Sequence, residues 1–272
     1  MSKNTWEDHY HEYPKVLQKV KELDEKLIPI KEHIDLIAEY FNCKEFSSYN
    51  EVANWFSMAW SIKNTEYEDA KYFYELDPYQ AANDYAQHTQ KLRTRLLDQI
   101  TLFLYAYMGF ESLINILNLQ SCPQMKGKIN SVKHFIKAKS SSDYEPLNFY
   151  LENLNLLKEL ISKSSMNELV NVFSVDDCTC ISGMGLKVVY KIRNKLAHGN
   201  YEFPISEDLS YHMPLEPEIT KISIRLLLLT IQNIMLLKYK NNYGSLFSEH
   251  LEESDEYDFL RNLHLIDREI SY

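Results

Sequence analysis

The chain has 272 residues, enough for one large or two small domains with a full-sized core. Six glycines and eight prolines are too few for a turn-dense all-β fold, so the composition points to an all-α protein. With 29 basic against 39 acidic side chains the formal charge is −10, which excludes a protein that coats nucleic acid by bulk charge. Any RNA or DNA chemistry would need a local basic patch.

Residues 5–75 read as helices punctuated by Pro14 and Pro29, with Val16, Leu17, Val20, Leu23, Leu27 and Ile30 at helical spacing. The polar run Ser47-Ser48-Tyr49-Asn50 precedes an apolar segment, 52–60, and makes Asn50 the expected N-cap. Asp8, His9, His11 and Glu12 are ligand-type residues, but a His-x-His pair beside a chain terminus is a weak metal signal, and no metal is expected. Next, Asp77-Pro78 pairs an N-cap acid with a proline suited to the first helical position, which predicts a helix running to about Leu119. Residues 96–119 are apolar almost all the way round, so this helix is expected to be the buried centre of the fold.

Pro123 and Gly127 end that helix, and a basic helix follows over 126–139. Its lysines and His134 could follow an RNA backbone or form a solvated face. A serine-rich loop then leads to a helix over 147–161, whose apolar face would carry Leu151, Leu154, Leu157, Leu160 and Ile161, and to a short helix over 167–173. Residues 176–183 read as a loop, 186–198 as a helix stopped by Gly199-Asn200, and 216–240 as the last long helix. The acidic run 249–258 contains no lysine or arginine and reads as a solvated surface segment. These boundaries divide the chain into an N-terminal helical region (1–76), a helical domain (77–241) and an acidic C-terminal segment (242–272).

The longest apolar stretch, 226–237, is interrupted by Thr230, Gln232 and Asn233 and falls short of the roughly 20 residues a bilayer span needs. No basic-then-apolar leader opens the sequence, so a cytoplasmic protein without a membrane partner is expected. Cys43, Cys122, Cys178 and Cys180 are irregularly spaced and read as free thiols.

Chemistry concentrates in 185–203. Arg193, Asn194 and His198 fall at the end of a predicted helix, with Asn194 and His198 four apart on one face. Lys187, Lys191 and Lys195 join Arg193 to place four positive charges in nine residues, the local patch that the net charge requires. The residue types suit metal-independent RNA cleavage. Histidine, with a free pKa of about 6.5, moves protons near neutral pH, and the planar fork of arginine holds a phosphate as charge builds on its oxygens. Asparagine can orient the imidazole or donate to a phosphate oxygen. The alternative is that Arg193 and His198 only finish a helix end and pair with acids.

Arg193-Asn194-Lys195-Leu196-Ala197-His198 resembles the signature of the HEPN superfamily, an arginine followed by a polar residue and, four to six residues further on, a histidine. The wider run 190–201 is similar to bacterial defence-associated members, and 102–115 is similar to the family's long helix, in which an aromatic-Glu pair precedes an apolar run. The likeness covers roughly 96–240. It implies a helical bundle that forms a homodimer, with Arg193 and His198 of both copies lining one RNA cleft. The implied reaction yields a 2′,3′-cyclic phosphate and a 5′-hydroxyl without a metal or other cofactor. Under this resemblance His198 would be the general acid/base, Arg193 the phosphate ligand and Asn194 the orienting group. Lys187, Lys191 and Lys195 would hold the RNA backbone. Glu111 would support the site by bonding to the helix of Arg193 and Asn194, or would instead lie on an exposed strip. A role in anti-phage defence or as a toxin follows from the same likeness, with a regulatory protein partner as a further possibility and 1–76 as the place for such control. The rival readings are a non-catalytic HEPN-like interaction or sensor module and a purely structural helical adaptor.

Overall fold

The computed structural model describes residues 6–44, 47–63, 65, 80–140, 145–176, 179–201, 215–240, 245–246 and 254–266. The fold is all-α, as the scarcity of glycine and proline predicts. Its helices are α1 (Trp6–Asp24), α2 (Ile30–Asn42), α3 (Asn50–Ser61), α4 (Gln80–Leu117), α5 (Lys128–Lys139), α6 (Tyr150–Ser162), α7 (Ile181–Ala197), α8 (Glu216–Lys238) and α9 (Glu256–Asn262). Short 3-10 helices occupy Ser47–Tyr49 and Asn167–Val172, and a two-residue antiparallel pair, β1 (Ser245–Leu246) with β2 (Ser254–Asp255), precedes α9.

The centre of the bundle is α8, with α2, α4, α6, α7 and α9 packed around it. This corrects the expectation that 96–119 is the centre. Both Thr89–Leu117 and Glu216–Lys238 are long and apolar enough to cross a bilayer by length and composition alone, which the sequence reading of 226–237 did not anticipate. They differ in burial: 94% of the apolar window in α8 is inside the fold, against 56% of that in α4. The reason is polar pairing. Thr220, Ser223 and Thr230 donate to the carbonyls of Glu216, Ile219 and Leu226 four residues back, and Arg225 and Gln232 bond to other elements. The threonine, serine, arginine and glutamine side chains of this helix can be buried because their donors find acceptors.

Two interior glycines fix how the other helices approach. At Gly109 a Cβ would stand 2.7 Å from the Phe56 ring, so the glycine lets α3 close on α4 at that point. At Gly185 a Cβ would stand 2.7 Å from the Tyr150 hydroxyl, which donates to the Ser182 carbonyl and accepts from the Gly185 amide. Gly183 and Gly185 therefore lie inside α7, which begins at Ile181 and not at 186. Gly185 serves close packing there, whereas the sequence reading ended the loop at Gly183 and began the helix at 186. Similarly, α3 starts at Asn50 itself, with no side-chain cap, and Leu151 is 42% exposed on the outer side of α6. The Asp77-Pro78 start lies outside the described residues.

One contiguous apolar cluster draws side chains from α1 through Leu263. The acidic C-terminal run is joined to it: Glu256 is buried, accepts from the Tyr40 hydroxyl at 2.7 Å and pairs with Lys44. Lys44 in turn sits over the rings of Tyr40 and Tyr239, at 5.0 and 4.6 Å from their centroids. Glu256 is thus a core residue and not a solvated one. The carboxylate is tolerated inside because ammonium and phenol both point at it.

Candidate active site

The end of α7 is built as the sequence predicts. His198 is the C-cap residue, and its amide donates to the Asn194 carbonyl at 3.0 Å. Gly199 then adopts φ of +68°, its amide reaching the Leu196 carbonyl, and the Asn200 amide reaches that of Lys195 at 2.9 Å. This left-handed glycine cap turns the chain away and leaves the His198 side chain exposed. Among the described residues its imidazole has no hydrogen-bond or ion-pair partner. Asn194 is half-buried and makes no side-chain hydrogen bond to His198 or to any other described residue.

Arg193 turns toward α4. Its Nη2 stands 3.8 Å from Glu111 Oε1, an ion-pair distance beyond hydrogen-bond range, and its guanidinium carbon lies 5.4 Å from the centroid of the Tyr107 ring. Glu111 faces Arg193 without the expected hydrogen bond to its helix, and at 47% side-chain exposure it lies on an open strip of α4, as in the alternative reading. Tyr107 precedes it by one turn and is 2% exposed. Burial, and then the Glu111 carboxylate, push the Tyr107 phenol above its ordinary range, partly opposed by Arg193. The sequence reading did not single out Tyr107. Its signal was the i, i+4 spacing to Glu111, which the all-round apolarity of 96–119 hid.

The basic patch is largely compensated. Lys187 pairs with Asp176 at 2.9 Å and donates to the Ser174 carbonyl at 3.0 Å, and Lys195 pairs with Glu168 at 2.5 Å. The hydrogen bond from Lys195 holds the Glu168 carboxyl below the usual range. With Arg193 beside Glu111, three of the four α7 cations have a carboxylate neighbour, each from a different place in the chain. Lys191 is exposed and pairs with no described carboxylate. On α5, Lys133 is buried, Lys128 bonds to Asn115 and Lys137 to the Asp176 carbonyl, which leaves Lys126 and Lys139 as exposed cations at its two ends. Among the described residues no group of three or more His, Cys, Asp or Glu side chains could hold a metal ion; the side chains of His9 and His11 lie outside what is described.

Arg193, Asn194 and His198 thus share one helix end with Glu111 and Tyr107 opposite. The arrangement offers an open planar donor, an exposed imidazole and a half-exposed carboxylate. No protein-family model, curated protein or solved structure matches the chain.

Proposed function

We propose that the protein is a metal-independent endoribonuclease of HEPN type, acting as a homodimer in defence or as a toxin. The observation that carries the reading is the state of Arg193 on the helix that His198 caps: a guanidinium held in place with no hydrogen bond to an oxygen of the described residues, five residues before an exposed imidazole. In the proposed reaction the ribose 2′-oxygen bonds to phosphorus and the bond to the 5′-oxygen breaks, giving a 2′,3′-cyclic phosphate and a 5′-hydroxyl. His198 carries a proton from the 2′-hydroxyl or to the leaving oxygen, and Arg193 takes up the charge that builds on the non-bridging oxygens. Asn194 is left to donate to a phosphate oxygen. Lys191 is the α7 lysine best placed to meet the backbone.

The test is incubation of purified wild type, His198→Ala and Arg193→Ala with total RNA in the presence of a chelator. The wild type is expected to cut and leave cyclic-phosphate ends, and each variant to lose at least about 100-fold in rate. Identical products from all three would remove the catalytic reading. The non-catalytic interaction or sensor module would then stand, favoured by the carboxylates beside Lys187, Arg193 and Lys195.

A further inference from the structure

Arg193 is restrained by contacts that, among the described residues, leave its donors open. The Tyr107 ring beneath it is itself fixed: it packs against Phe103 at 6.0 Å and edge-on against Phe110 at 5.8 Å, both on α4, and is 2% exposed. Attraction of a guanidinium to a ring face is electrostatic and requires no oxygen acceptor, so it restrains the cation while its N–H fork remains free for one. Glu111, at 3.8 Å, adds charge attraction without a hydrogen bond. A carboxylate in bidentate contact would have done the reverse and closed the fork.

The Tyr107 hydroxyl is a separate matter. It is buried and has no hydrogen-bond partner among the described residues, so the ring face is the part of this side chain that acts on Arg193. Both α4 and α7 dock on α8, which holds the ring and the guanidinium carbon at 5.4 Å without any direct bond between them.

We propose that Tyr107 is the positioning residue of Arg193: its ring face sets the guanidinium over α4 with the donors open to a phosphodiester oxygen. The identity of that anion rests on the ribonuclease reading; the positioning does not. Three kinds of variant separate the possibilities. Tyr107→Phe keeps the ring, Tyr107→Leu removes it, and phenylalanines with increasing numbers of ring fluorines at 107 weaken the negative face at nearly constant volume. Two readouts apply to each: kcat and KM on an RNA oligonucleotide, and the Arg193 Nε–H signal in a proton–nitrogen spectrum, assigned by its loss in Arg193→Lys.

Tyr107→Phe should stay within about twofold of wild type in both constants and keep the ring-current shift of the Arg193 signal. Tyr107→Leu should lower kcat about tenfold, change KM by less than about threefold and lose that shift. Fluorination should lower kcat stepwise. The proposal is overturned if Tyr107→Phe falls as far as Tyr107→Leu, if the shift survives in Tyr107→Leu, or if the fluorinated series is flat. Should Tyr107→Leu fail to fold, the near-isosteric fluorinated series decides by the same two readouts. Should the wild type leave RNA intact, the ribonuclease reading fails, and the Arg193 signal alone decides whether Tyr107 positions it.

Discussion

Arg225 on α8 and Arg193 on α7 lie on helices that pack together, yet they are held in opposite ways. Arg225 is 3% exposed; Nη1 donates to His33 Nδ1 at 2.7 Å and Nη2 donates to the Ile28 carbonyl. Because a guanidinium only donates, His33 Nδ1 must be the acceptor, and its proton sits on Nε2, 2.8 Å from Gln232 Oε1. Gln232 is fixed in turn, since its Nε2 faces the Leu260 carbonyl at 2.6 Å and donates also to His264 Nδ1 at 3.1 Å. His264 therefore donates from Nε2 to the Asn148 carbonyl at 3.0 Å. This chain ties α2, α8, α9 and the approach to α6 together with both imidazoles neutral. Around Arg193 the same residue types make no such closed circuit. The difference shows what separates an arginine that holds a fold from one available to a ligand: whether its donors already have acceptors.

Removing each arginine should break the comparison most sharply. Arg225→Met leaves His33 Nδ1 and the Ile28 carbonyl buried with a bond missing, at about 1–3 kcal/mol for each orphaned group. A loss of about 2–5 kcal/mol is expected in urea unfolding, whereas Arg193→Ala should stay within about 0.5 kcal/mol. Burial pulls the Arg225 pKa down to about 10, still well above neutral, so the guanidinium itself stays charged at both pH 6 and pH 8. Equal destabilisation by the two substitutions would show that Arg193 is as structural as Arg225.

The histidines repeat the contrast at smaller scale. His33→Ala removes the link between Arg225 and Gln232 and should destabilise by about 2 kcal/mol. His198→Ala removes an exposed ring and should leave the unfolding midpoint unchanged while abolishing RNA cleavage. A stable His33→Ala protein would mean that the buried chain relaxes around the gap.

How much of this was legible in the sequence follows the range of the interactions. The helix ending at Ala197 with His198 as cap and Gly199 in the left-handed region was readable, because the cap is local to six residues. The placing of α8 at the centre was not. Glu216, Arg225, Gln232 and Asn233 look like the markers of a half-exposed helix, and only partners such as His33, about 200 positions earlier in the chain, let them enter the core. Gly185 misled for the same reason, since the Tyr150 hydroxyl that requires a small neighbour comes from another helix. In the candidate site, the grouping of Arg193, Asn194 and His198 at one helix end was legible from their spacing. Tyr107 was not, being one aromatic among many on α4, and neither were the carboxylates of Glu168 and Asp176 that compensate the patch.

That compensation ranks the lysines. Lys191→Glu should weaken binding of single-stranded RNA about three- to tenfold and lower the slope of log affinity against log salt by roughly 0.7, as for one lost phosphate contact. Lys187→Gln should change affinity less than about twofold, because Lys187 is already held by Asp176 and the Ser174 carbonyl. Fluorescence anisotropy with a labelled oligonucleotide and a cleavage-dead His198→Ala background reads both. If Lys187 outranks Lys191, the ion pairs on α7 open on contact with RNA and do not set which cation binds.

The smallest effect isolates one such pair. Glu168→Gln keeps the shape of the side chain and releases Lys195, so RNA affinity at neutral pH should rise about threefold, with stability changed by less than about 0.5 kcal/mol for so exposed a carboxylate. The sign of the pH dependence follows from the direction of the Glu168 shift. Its folded pKa lies below the ordinary 4.5, held there by the Lys195 hydrogen bond, so the pair is fully formed above that value and is lost as pH falls through the lowered folded pKa. Wild type and Glu168→Gln should therefore differ in RNA affinity at pH 7 and converge well below pH 4.5, where Glu168 itself becomes neutral. A difference that persists in acid would assign the effect of Glu168 to the shape of the 3-10 helix and not to its charge.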